Sequence, residues 1–242
     1  MDWEPREVPG LFTKILSGDP KTGARTALQW VSTPKGYVAP PMAHYHHFDE
    51  ELLIVSGELS FDSKTWLGPL AYCYHPAKTV HGFKSALPDE ATFISRVDHD
   101  VDFHFEKNPK QFTPYSLEGT PPERAIAVVA DPRPGPWDEV RDDAGNVVLS
   151  RKVLSRHPRT GEGAMLVRFA PGWQSPHGAH SHTVYEEVFV LEGALELPDG
   201  TVYGEGAYMY KPPGTVQEGG LSPSGALAYI NFGGSLDFIP AE

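Results

Sequence analysis

His44-Tyr45-His46-His47-Phe48-Asp49-Glu50-Glu51 is followed, 136 residues on, by His180-Ser181-His182-Thr183-Val184-Tyr185-Glu186-Glu187. The register holds without a gap downstream, where Gly57, Tyr72, Tyr74, Pro76, Thr79 and Val80 recur as Gly193, Tyr208, Tyr210, Pro212, Thr215 and Val216. Upstream, Lys14-Ile15-Leu16-Ser17 with Pro20-Lys21-Thr22-Gly23 recurs at an offset of 138 as Lys152-Val153-Leu154-Ser155 with Pro158-Arg159-Thr160-Gly161. Solenoid units run to roughly 20–50 residues, so a repeat this long is a whole small domain written twice. The stretch from Asn108 to Arg124 carries Pro109, Pro114, Pro121 and Pro122 and no periodic apolar pattern, which predicts a junction there and domains at 1–118 and 119–242.

Between these landmarks the apolar runs are short. Thr26 to Val31, Leu52 to Val55, Ala71 to Tyr74 and Ala91 to Val97 in the first half match Ala164 to Phe169, Val188 to Leu191, Ala207 to Tyr210 and Ala226 to Phe232 in the second. These have the length of strands and not of helices. The chain of 242 residues holds 24 Gly and 24 Pro, which break helices repeatedly, so an all-β fold with few, peripheral helices is expected. Gly57 and Gly193 each sit where a hairpin turn would need a residue free to take φ > 0.

Charge and cysteine usage narrow the function. With 32 acidic against 20 basic side chains and no Lys/Arg stripe, neither nucleic acid nor an anionic membrane is an expected partner. No apolar run approaches transmembrane length and the N-terminus lacks a signal-peptide pattern, so a cytoplasmic location is expected. The single cysteine, Cys73, excludes an intrachain disulfide and a thiolate metal cluster, leaving His and carboxylate as metal ligands.

Side chains two apart on a strand share a face, so His44, His46 and Glu50 can converge on one point inside a barrel, with His81 brought across from a neighbouring strand. Three imidazoles and a carboxylate suit one divalent transition-metal ion, Fe, Mn, Ni, Cu or Zn. The second copy offers His180, His182 and Glu186, with Gln217 in the fourth place. An amide oxygen is a poorer transition-metal ligand than imidazole, so metal there is doubtful; His177 is an extra candidate nitrogen. Tyr72, Tyr74 and Arg96 are candidate pocket residues, although packing and an exposed arginine are the simpler readings. Cys73 alternates with the two tyrosines and is expected to be a buried, inert thiol.

These spacings resemble the two motifs of the cupin superfamily. His44, His46, Glu50 and Gly57, and again His180, His182, Glu186 and Gly193, match its first motif; the leading glycine is off spacing, Gly36 lying eight before His44. Pro76 and His81 match part of the second, with Lys78 where glycine is usual; Gly206, Pro212 and Gly214 match it in the second half. The second half resembles in particular the cupin domains of the ChrR type. The resemblance implies two tandem double-stranded β-helix (jelly-roll) barrels. It also implies a non-haem Fe(II) dioxygenase that cleaves a C–C bond in a small diketone, enol or hydroxylated aromatic. A non-redox metal-dependent lyase or isomerase, or a small-molecule sensor without turnover, stays open beside that reading, as does assembly into a homodimer.

Overall fold

The computed structural model describes residues 2–6 and 10–241. No residue among them is helical, and no helix is long and apolar enough to cross a membrane. The chain divides into two compact units, residues 1–134 and 135–242, each a strongly curled antiparallel sheet with short strands closing its open side.

In the first unit the long strands are β1 (Leu11–Gly18), β2 (Gly23–Ser32), β3 (Glu50–Gly57), β4 (Tyr72–His75), β5 (Glu90–His99) and β6 (Ala127–Val129). They pair in the order β1-β2-β5-β3-β4-β6, with Glu4–Pro5 added outside β1. Short pairs face this sheet: His44–Tyr45 with His104–Phe105, Thr79–Val80 with Tyr115–Ser116, and Tyr37–Val38 with Ala86–Leu87. The second unit repeats the plan with β7 (Asp138–Arg141), β8 (Val147–Arg156), β9 (Gly163–Phe169), β10 (Glu186–Glu196), β11 (Tyr208–Lys211) and β12 (Ala226–Phe232). Here the order is β7-β8-β9-β12-β10, with β11 also on β10.

Every apolar run read from the sequence lies in or against one of these strands, because the pleat sends alternate residues inward. On β3 and β4, Leu52, Ile54 and Cys73 join Leu59, Leu67, Leu87 and Ala91 in the first core. Val167, Val188, Ala228 and Ile230 anchor the second. The fold is thus the expected all-β jelly roll, written twice.

Two expectations need correction. The first unit runs on past residue 118: Ala127, Val128 and Val129 pair with Tyr74, Cys73 and Tyr72. Arg124, 4% exposed, donates to Glu51 on β3. Prolines mark turns, and a strand that returns to its own sheet after a Pro-rich detour cannot be told from a linker by composition. The hairpin reading of the glycines also fails. Both have positive φ, 71° at Gly57 and 72° at Gly193, but Gly193 lies inside β10, which continues to Glu196. The demand there is close backbone approach. A Cβ on Gly57 would lie 2.8 Å from the Cα of Ala91, and one on Gly193 3.0 Å from the Cα of Ala226.

Candidate metal centre

The short strand at His44 meets the segment at His81 by a reciprocal backbone pair, His44 N–H to the His81 carbonyl and His81 N–H to the His44 carbonyl, both 2.9 Å. Two prospective ligands are therefore locked in register by the main chain. The Nδ1 of His44 lies 3.0 Å from the Met42 carbonyl, that of His81 lies 2.9 Å from the Thr79 carbonyl, and that of His46 bonds the Asp102 carbonyl. A carbonyl only accepts, so each ring carries its proton on Nδ1 and turns an Nε2 lone pair inward, the arrangement found in metal-ligating imidazoles. The ligand atoms of His44, His46 and His81 all lie within 4.8 Å of one another.

Burial, then the charge of a neighbouring imidazole, pushes the pKa of His44 and of His81 below the ordinary histidine value. Burial lowers that of His46 as well, against the opposing pull of Glu50. Desolvation disfavours the imidazolium form, so these rings hold their Nε2 lone pairs at neutral pH.

Glu50 reaches the cluster from β3. Its Oε2 is 3.3 Å from Nε2 of His81 and 3.4 Å from Nδ1 of His75. Burial alone would raise the Glu50 pKa, but the neighbouring imidazoles of His75 and His81 hold it well below the usual carboxylate range. Glu50, His75 and His81 form a second triad with ligand atoms within 4.8 Å, so the two triads share His81. His75 was missed in the sequence. It sits directly across from Glu50 in the β3–β4 register, 2% exposed, and its Nε2 has no hydrogen-bond partner. The available signal was parity: His75 is two after Cys73, on the inward face of β4.

The candidate pocket residues go elsewhere. Tyr72 and Tyr74 share the opposite face of the sheet with Glu51. Tyr72 donates to Glu51 at 2.8 Å and Arg124 donates to both Glu51, at 2.8 Å, and the Tyr72 oxygen, at 3.1 Å. Arg96 lies 3.5 Å from Glu51, and the Arg124 guanidinium covers the Tyr74 ring at 3.8 Å. Period two explains the separation: Glu50 and Glu51 are neighbours in sequence and point to opposite faces. The residues ringing the imidazoles are instead Phe103, 4.8 Å from the His46 ring and 57% exposed, and Phe105, 6.5 Å from His44. Beside them His47 and His104 flank the Asp102 carboxylate at 2.7 and 2.9 Å.

In the second unit the backbone frame is the same. His180 and Gln217 exchange both main-chain bonds, at 2.9 and 2.8 Å, and the Nδ1 atoms of His180 and His182 bond the carbonyls of Gly178 and Asp237. The chemistry differs. Lys211 stands across from Glu186, the place His75 has beside Glu50. Its Nζ donates to Glu186 Oε2 at 2.9 Å and also bonds the Gln217 Oε1. Among the described residues, no group of three or more His, Cys, Asp or Glu side chains converges here. His177 stacks on Phe238 at 3.9 Å, with its ring 5.8 Å from that of His180.

Residues 127–235 match the sequence model of the ChrR cupin-like domain. No curated protein matches the chain in sequence. Among solved structures, a proposed dioxygenase from Nostoc punctiforme superposes with a TM-score of 0.73 at 18% identity, covering 92% of this chain and 73% of that one. A proposed glyoxylate-induced protein from Pseudomonas aeruginosa gives 0.63 at 15% identity over 98% and 86% of the two chains. A salicylate 1,2-dioxygenase from Pseudaminobacter salicylatoxidans gives 0.60 at 12% identity over 90% and 75%. At such identities the likeness is one of fold.

Proposed function

We propose that this chain, a cupin by fold throughout and by sequence family over residues 127–235, is a metal-dependent dioxygenase acting on a small oxygenated organic substrate from its first barrel. The residues that would hold one divalent ion are His44, His46, His81 and Glu50, with Fe(II) favoured. The observation that carries the reading is the shared orientation of the three imidazoles, each tied through Nδ1 to a main-chain carbonyl with Nε2 turned to its neighbours. A hydrogen-bonding cluster with no metal to bind has no need to free three lone pairs toward one another. The likeness in fold to two proteins described as dioxygenases supports the choice of reaction.

A divalent transition metal at such a site supplies a Lewis acid for an enolate, phenolate or carboxylate oxygen and, as Fe(II), electrons for O₂. The chain's own residues do the rest. Asp102, Met42 and Thr79 carbonyls keep the rings from rotating, and Glu50 contributes the negative charge that offsets the cation. His75 holds the Glu50 carboxylate by one hydrogen bond from Nδ1. Phe103 and Phe105 offer an aromatic substrate a face to stack on and exclude water from the cluster's mouth.

Metal analysis of the protein isolated without added metal, then oxygen uptake with diketones and hydroxylated aromatics, tests the proposal. Substrate-dependent O₂ consumption that needs Fe(II) is expected. Turnover under anaerobic conditions would move the assignment to a lyase or isomerase, and ligand binding without turnover to a sensor.

A further inference from the structure

We propose that the second barrel is a metal-free binding chamber for an uncharged, largely apolar molecule bearing one hydroxyl or phenol group, with the Lys211 ammonium as its built-in cation. The inference is independent of any metal in the first barrel.

Three observations carry it. First, the second barrel holds a half-open cavity of about 940 Å³, at the upper end of the roughly 300–1,000 Å³ typical of small-molecule sites. Its walls are mostly apolar, with Met165, Val167, Val188, Met209, Ile230 and Leu236 among them. Apolar walls of this extent hold water that a largely apolar ligand would release, which favours binding.

Second, among the polar side chains of the lining, which also include Arg141, Asp142, Arg151, Glu196 and Glu218, five converge in one place. His180, His182, Glu186, Lys211 and Gln217 all line the cavity, and the strand register gathers them, with Glu186 across from Lys211 and His180 bridged to Gln217. This is the usual composition of a ligand site, an apolar body and a few convergent polar atoms that fix orientation.

Third, Lys211 is already engaged from two sides, by the Glu186 carboxylate and the Gln217 amide oxygen. An ammonium has three protons, so one remains for a ligand. A fixed cation bound to the carboxylate repels a metal ion and removes the acid from its ligand set. The His180 and His182 Nδ1 atoms meet main-chain carbonyls, which leaves their Nε2 lone pairs as acceptors. The floor then offers donor and acceptor together, and its formal charges, one ammonium and one carboxylate, cancel. A hydroxyl matches both functions, giving its proton to an imidazole and accepting one from Lys211. A carboxylate would find no net positive charge on this floor to offset its own.

The test uses the full chain after chelation and dialysis, with calorimetric titration of 1-naphthol, naphthalene-1-carboxylate and decan-1-ol. One site per chain is expected for 1-naphthol and for decan-1-ol, with the carboxylate at least about tenfold weaker, as for loss of one hydrogen bond to a charged group. Lys211→Met is expected to weaken 1-naphthol binding by a similar factor, and Leu236→Trp, which narrows the chamber without touching the floor, to abolish it with the thermal unfolding midpoint retained. Separately, Lys211→Ala combined with Gln217→His should take up one more equivalent of zinc per chain than Gln217→His alone. No binding of the two alcohols, binding that chelation removes, indifference to both Lys211→Met and Leu236→Trp, or an equal zinc count in the two metal-binding variants would each overturn the proposal. Failure of oxygen chemistry in the first barrel changes none of these readouts.

Discussion

Gly82 and His44 are in such close contact that a Cβ on Gly82 would lie 2.7 Å from Nδ1 of His44 and overlap the rest of its ring edge. Gly82 also holds φ at +68°, a conformation that costs an L-residue about 1–2 kcal/mol. Gly82→Ala should therefore push the imidazole off its Met42 carbonyl and lower metal affinity by about 10–100-fold, the usual loss when a ligand's support is disturbed. Metal retained after dialysis, measured against total protein, checks this. Wild-type retention would show that His44 is not a ligand.

His81 belongs to both triads, whereas Gln217 holds the corresponding place in the barrel that already contains a lysine cation. His81→Ala should cut bound metal sharply, His75→Ala should reduce it less, and Gln217→Ala should leave it nearly unchanged. Equal losses from the His81 and Gln217 changes would reverse the ranking of the two barrels.

Glu51 is 1% exposed. Burial opposes its ionisation, but Arg124 and Arg96 outweigh that and hold its pKa below the ordinary value. Removing one partner of a buried ion pair strands the other, so Arg124→Met should destabilise the fold by about 3 kcal/mol at pH 7. Because the folded pKa is depressed, the Glu51 contribution is fully present above the unfolded carboxylate value near 4.3 and is lost as pH falls through the folded one. The gap between wild type and Arg124→Met in urea unfolding should accordingly narrow below pH 4. A constant gap down to pH 2 would place the defect in packing alone.

Burial, with the Glu50 charge behind it, pushes the Cys73 thiol up to about 12. The thiolate is the reactive species, so iodoacetamide at pH 8 should leave Cys73 unmodified in the folded chain and alkylate it in urea. Mass spectrometry of the intact chain reads both. Rapid modification of the folded protein would mean that β4 opens readily.

Much of the fold was written in local pattern. The runs around Leu52 and Val188 declare strands by their short length, and His44, His46 and Glu50 declare one face because side chains two apart on a strand point the same way. Lys78 shows the limit of motif reading. It stands where a glycine is usual, and the chain still adopts φ +64° there, as Gly214 does at +76° in the other barrel. His75 and Lys211 were hidden because neither belongs to a spacing pattern; their importance lies in a cross-strand register that only the β3–β4 and β10–β11 pairings reveal. Tyr72 and Tyr74 pack, as the simpler reading had it, on the face away from the metal ligands, while Arg96 is not an exposed arginine but lies against the buried Glu51. The unit boundary was misplaced because the pairing of β6 with β4 spans some fifty residues of intervening chain.

That late strand bears on how the barrels can be separated. A fragment ending at residue 118 would lose Arg124 and strip the outer neighbour from Tyr72–His75, leaving a bare row of backbone donors and acceptors beside an acid with one counter-ion fewer. Such an edge recruits other chains, so an isolated first half cut there should precipitate or associate. One carried through Pro134 keeps its own selvage and should stay monodisperse.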